Sequence, residues 1–177
     1  MKRYLPYIVL SLVALVIGVS CSSEKAAVVE SSIEFTALDL DGNLRKSSEW
    51  IGQQPVVINI WGTWCPPCRQ EIPDLVRLYG EYKDKGLEFV GLALERSNGP
   101  DGVKRFAQQH NMDWVMLMGD REIAIDLQAT GVPKTILVDR YGKVMQVTDV
   151  MGRSGDAFVG PQPYEVFKAA FDRLLEI

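Results

Sequence analysis

Residues 55–68, Pro55-Val56-Val57-Ile58-Asn59-Ile60-Trp61-Gly62-Thr63-Trp64-Cys65-Pro66-Pro67-Cys68, decide the fold. The apolar run before the first tryptophan reads as a buried β-strand. Beyond the cysteines, Ile72, Leu75, Val76 and Leu78 recur at helical spacing. A strand therefore delivers a Cys-x-x-Cys pair to the N-terminus of a helix. There the unpaired N–H groups and the positive end of the helix dipole favour a thiolate over a thiol. A thiolate held beside a second sulfur can attack a disulfide, form a mixed disulfide and be released by its neighbour. The pattern points to dithiol–disulfide exchange.

The rest of the chain isolates this pair. Of three cysteines in 177 residues, the first is Cys21, preceded by Lys2, Arg3 and an almost wholly apolar run over residues 5–19. A basic start, an apolar middle and small residues before a cut site make an export signal. The run of about 15 residues is short for a bilayer span of roughly 20. Gly18-Val19-Ser20-Cys21, followed by Ser22-Ser23, resembles a bacterial lipobox, although Gly18 stands where a leucine is usual. Lipidation at Cys21 is the first expectation, with an uncleaved signal anchor or a soluble exported form as alternatives. Each puts the protein outside the cytoplasm, at the membrane or in a periplasm-like space, where disulfides persist. The expected organisation is a signal over residues 1–21, a tether over 22–32 and one folded domain over 33–177.

With Cys21 assigned to the anchor, Cys65 and Cys68 are the remaining pair. A Cys₂ zinc site would need two further ligands, His110 is the single histidine, and no carboxylate cluster completes one. No metal or cofactor is expected. Removing Lys2 and Arg3 from 19 basic residues leaves 17 against 23 acidic ones, a formal charge of −6. That balance carries no electrostatic footprint for nucleic acid.

Outward from the motif, residues 34–46 read as a hairpin about Asp41-Gly42-Asn43, and Ser47 or Ser48 caps a short turn. Helices are predicted over 66–85, 100–110, 121–128 and 165–175. Strands are predicted over 56–61, 87–94 and 114–117, with a terminal hairpin over 135–139 and 143–149. Strands alternating with helices imply a mixed sheet covered on both faces. Residues 151–164, rich in Gly and Pro, are left without an element or a role.

Trp61 to Cys68, Glu71 three residues further on, and Gly131-Val132-Pro133 resemble the thioredoxin fold. Within that fold, they resemble the membrane-tethered TlpA/ResA/CcmG-like thiol–disulfide oxidoreductases, over residues 34–150. The resemblance implies an α/β thioredoxin fold with a mixed central sheet flanked by helices, an N-terminal hairpin and an extra strand–helix insert. It implies a cis bond before Pro133 facing the sulfurs, and a Val132 backbone that pairs with a substrate strand. Trp64 is read as a partly exposed shield beside the sulfurs, and Glu71 resembles the family's acid near the active site. Asn59 stands where thioredoxins proper carry a buried acid, and is paired here with Glu71. Lys134 departs from the pattern, its charge acting on Cys65 or on acidic substrates unless it is simply solvated. Glu95 is a weaker candidate for lining the substrate groove. The implied partners are disulfide-bearing exported proteins such as apocytochrome c, a membrane electron donor of DsbD/CcdA type, and the membrane through the N-terminal anchor.

Position assigns the sulfur roles. If Cys65 is the N-cap it lies nearer solvent and attacks, while Cys68, one turn in, resolves. A cap accepts N–H bonds from the second and third helical residues, but the second is Pro67, so only the Cys68 amide remains. A poorly stabilised thiolate argues for a reductant, because stabilising the reduced form is what makes a strong oxidant. A disulfide-forming oxidant of the same fold is the alternative. A peroxidase would want Pro-x-x-x-Thr-x-x-Cys, which is missing, and a non-catalytic peptide-binding module would not need two cysteines.

Overall fold

The computed structural model describes residues 33–177; the expected signal, the tether and Cys21 lie outside the described residues. A short hairpin opens the domain, β1 (Thr36–Asp39) against β2 (Leu44–Lys46). Its turn is closed by Asp39 Oδ1, which accepts the Asp41 and Asn43 N–H groups at 2.9 Å each. Gly42 takes the left-handed φ of 85° that the turn requires.

There follow β3 (Val56–Trp61), α1 (Pro66–Tyr82), β4 (Glu88–Ala93), α2 (Gly99–Gln109), β5 (Val115–Met118), α3 (Arg121–Asp126) and β6 (Lys134–Val138). The sheet runs β2-β1-β5-β4-β3-β6-β9, the last strand being Phe158–Val159, with β3, β4 and β5 parallel and β6 antiparallel to β3. Two strand–helix units, β4–α2 and β5–α3, separate α1 from β6, which accommodates the expected insert. This is the expected thioredoxin-like α/β architecture.

β3 is buried along its whole length, which is why its sequence is a continuous apolar run rather than an alternation. Its period of two still divides the core. Val57 and Trp61 join Ile72, Leu75 and Leu78 of α1 on one face, while Val56, Ile58 and Ile60 join Ile123 on the other. Each such side chain contributes roughly 1.5–3 kcal/mol through burial, and the two layers hold the strand that carries the cysteines. Pro73 lies inside α1, which runs on through it to Tyr82.

The C-terminal third differs from the sequence reading. The turn at residues 139–143 forms, and Met145 N–H reaches Leu137 O at 2.8 Å. The chain then leaves β6, and β7 (Val147–Thr148) pairs with β8 (Ser154–Gly155) in a separate two-stranded sheet. The edge beside Lys134 and Thr135 is taken by β9 (Phe158–Val159), from the segment left without an element. Burial explains the exchange. Phe158 is enclosed and meets Phe167 edge-on at 5.3 Å, a larger apolar gain than residues 146–149 offer. Gly160 N–H then bonds Pro133 O at 2.9 Å, fixing the segment to the site. α4 (Tyr164–Glu176) closes the fold against α1, where Arg77 stacks 4.0 Å over Tyr164 and the Tyr82 hydroxyl bonds Asp172.

Candidate active site

Cys65 is the N-cap of α1, with extended backbone (φ −93°, ψ 107°), and Pro66 and Pro67 fill the first helical turn. Its Sγ accepts the Cys68 N–H at 3.2 Å, the single amide that two prolines leave available. Cys65 and Cys68 are joined in a disulfide. Cys65 was expected nearer solvent than its partner. That order holds by a narrow margin, with both cysteines enclosed, Cys65 at 2% and Cys68 at 0% exposure. The reason is the chain segment opposite. The Val132–Pro133 bond is cis, and Val132 O lies 3.6 Å from Cys65 Sγ. The structure thus brings Cys65, Cys68, Val132 and Pro133 together across 67 residues of sequence.

Glu71 sits one turn past Cys68 on α1 and is 3% exposed. Asn59 Nδ2 on β3 donates to Glu71 Oε1 at 3.0 Å and lies 3.0 Å from Thr135 Oγ1 on β6. Glu71 Oε2 has no hydrogen-bond partner among the described residues. Burial pushes the carboxyl up to about 8, against the opposing pull of the Asn59 amide and the Gln162 backbone. Near neutral pH the group therefore holds a proton it can exchange. Thr135 was not singled out from sequence. Its signal is a polar residue inside an apolar strand, with a partner 76 residues away.

Trp64 is 37% exposed and leans on the end of β4, where its Nε1 donates to Leu94 O at 2.8 Å. Gly62 makes this possible. A Cβ there would stand 2.6 Å from Trp64 Nε1 and 3.1 Å from Leu94 O. Gly62→Ala is accordingly expected to expel the indole, at a cost of about 1–3 kcal/mol. Tryptophan emission moving to the red, together with a lower melting temperature, checks this; unchanged values for both would refute the clamp. Trp61, by contrast, is fully buried and packs 5.4 Å from Phe106.

Two charged candidates serve the frame. Lys134 Nζ donates to Leu127 O at 2.8 Å and Gln128 O at 3.1 Å, closing the end of α3, and burial lowers its pKa. Glu95 is engaged by the Thr63 hydroxyl at 2.5 Å and by the Arg96 and Ser97 N–H groups at 2.8 and 3.3 Å. Burial opposes its charge, yet these donors outweigh burial and hold the carboxyl below the usual range. It organises the loop after β4.

The AhpC/TSA family pattern matches residues 28–147. Thiol-disulfide oxidoreductase ResA of Halalkalibacterium halodurans is 34% identical over 122 residues, 67% of this chain and 66% of that protein. ResA of Bacillus thuringiensis subsp. konkukian is 32% identical over 130 residues, 73% of each chain. Among solved structures, a thiol:disulfide interchange protein of the thioredoxin family from Chlorobium tepidum superposes with a TM-score of 0.65. It is 26% identical, over 80% of this chain and 93% of that one. The strand-to-helix disulfide, the cis proline opposite it and these likenesses agree: the chain belongs to the AhpC/TSA family, as a thiol–disulfide oxidoreductase of the ResA type.

Proposed function

We propose that the protein works outside the cytoplasm as a reductant of disulfides in exported proteins, such as the oxidised cysteine pair of apocytochrome c. The observation that carries the direction is the cap of α1. Beyond the helix dipole, one amide, 3.2 Å from Cys65 Sγ, is the hydrogen bond offered to a thiolate there among the described residues, and the Val132 carbonyl oxygen opposite, at 3.6 Å, favours the thiol. A reduced form with so little stabilisation gives its electrons up readily. The location rests on Lys2, Arg3, the apolar run and Cys21.

In the cycle, the Cys65 thiolate attacks one sulfur of the target disulfide and the other sulfur leaves as a thiolate. Cys68, deprotonated by the ionised minority of Glu71, attacks Cys65 Sγ, closing the Cys65–Cys68 disulfide and releasing the second target thiolate. Two electrons move from the protein dithiol to the target. Trp64 borders the attacking sulfur and the Val132 backbone offers a pairing edge to the target strand. A membrane electron donor of DsbD/CcdA type restores the dithiol, since an oxidising compartment supplies no reducing pool. Acid quenching of cells followed by thiol alkylation tests this. The Cys65–Cys68 pair is expected mainly as the dithiol, oxidising when the donor is deleted. A predominant disulfide with the donor intact would reverse the assigned direction.

A further inference from the structure

The loop after β4 places one cation over the tryptophan next to the attacking sulfur. The Arg96 guanidinium lies 3.8 Å above the Trp64 ring. Both partners are pinned. The indole is bonded to Leu94 O, and the loop is held by Glu95 on Thr63 and by Asn98 Nδ2 on Thr63 Oγ1 at 3.0 Å. Stacking covers one face of the guanidinium and leaves its N–H edge open, the geometry that suits a carboxylate.

No carboxylate takes that edge among the described residues. The adjacent Glu95 has both oxygens occupied by the Thr63 hydroxyl and backbone N–H groups. The remaining charges about the site do not cancel the cation. Arg69, directly after Cys68, is exposed and forms no ion pair among the described residues, and Lys134 is committed to the Leu127 and Gln128 carbonyls just past α3. Glu71 is buried and largely protonated at neutral pH. A chain with an excess of acidic residues thus presents an unpaired cation where a target must approach.

We propose that Arg96, stacked on Trp64, is a specificity-determining residue that selects target disulfides with an acidic side chain beside the attacked cysteine. The inference rests on the reductase reading above. A rim charge of this kind acts on encounter and register more than on final affinity, and salt screens it.

The test uses the full chain, pre-reduced and freed of reductant, with three synthetic peptides. Each peptide carries one internal disulfide and differs only in Glu, Gln or Lys beside one cysteine. Rates are divided by those for dithiothreitol on the same peptide, which removes the peptide's own reactivity. At low salt the Glu peptide is expected to react about threefold faster than Gln, and Lys about threefold slower. Arg96→Ala should bring the three together, Arg96→Glu should invert the order, and ~0.5 M salt should flatten the wild-type series. Equal wild-type rates, or an order that survives Arg96→Glu, would overturn the selection while leaving the reductase reading intact. Failure to reduce any of the three peptides would remove both.

Discussion

Cys68→Ser, reduced and mixed with a disulfide peptide, is expected to stop as a covalent adduct on Cys65, its mass raised by one peptide chain. Cys65→Ser should form no adduct under the same conditions. The difference follows from the helix cap. Cys65 faces the cis-proline segment, with Val132 O 3.6 Å from its sulfur, while Cys68 lies a turn inside and is fully enclosed. Multiple-turnover exchange should fall by about 10³-fold or more in either variant, because each sulfur is needed in one of two successive displacements. Mass spectrometry under non-reducing conditions distinguishes the two. An adduct on Cys68 in the Cys65→Ser protein would exchange the assigned roles. In extracts, the Cys68→Ser adduct should contain apocytochrome c if the proposed target is right.

The second large effect concerns stability rather than turnover. Glu71 has a carboxyl raised from 4.5 to about 8, with burial as the leading cause. Below pH 4.5 folded and unfolded chains both hold the proton and the group has no influence. Between 4.5 and about 8 the unfolded chain releases it while the folded one keeps it, so stability falls as pH rises. Above the folded value both are ionised and the loss is complete. At about 1.4 kcal/mol per unit, the upper bound on that loss is ~5 kcal/mol. Denaturant titrations at pH 5, 7 and 9 should show the wild type weakening and Glu71→Gln much flatter. Parallel pH curves for the two proteins would mean that Glu71 is not the group responsible. The same substitution should alter the pH dependence of Cys68 resolution, where Glu71 is assigned the proton.

The strand-to-helix junction was legible because several levels agreed. Residues 56–61 are apolar throughout, Cys65 precedes two prolines that suit a first helical turn, and Val132-Pro133 precedes a second apolar strand. The Asn59–Glu71 pair could be placed because one residue sits on the strand and the other on the following helix. Thr135 could not, since its partner lies across the sheet and no local pattern marks it. β9 was illegible for a different reason. Two residues between glycines and prolines carry no periodicity, and Phe158 is enclosed against Phe167 of α4, a contact no local pattern marks. The enclosure of Cys65 was missed because a helix cap is ordinarily exposed, and the cover comes from a distant loop. Arg96 drew no notice as one charge in a polar turn; its stacking on Trp64 depends on the loop geometry after β4.

The brevity of β9 has a consequence beyond the site. An open sheet edge is a template for pairing with another chain. Here both boundary strands are stubs. β9 has two residues before Gly160 turns the chain away at φ 85°, and β2 has three, two of them Arg45 and Lys46. Neither stub can seed an extended ladder with a client or with a second copy. Pairing with an extended chain is thereby disfavoured at either boundary of this sheet.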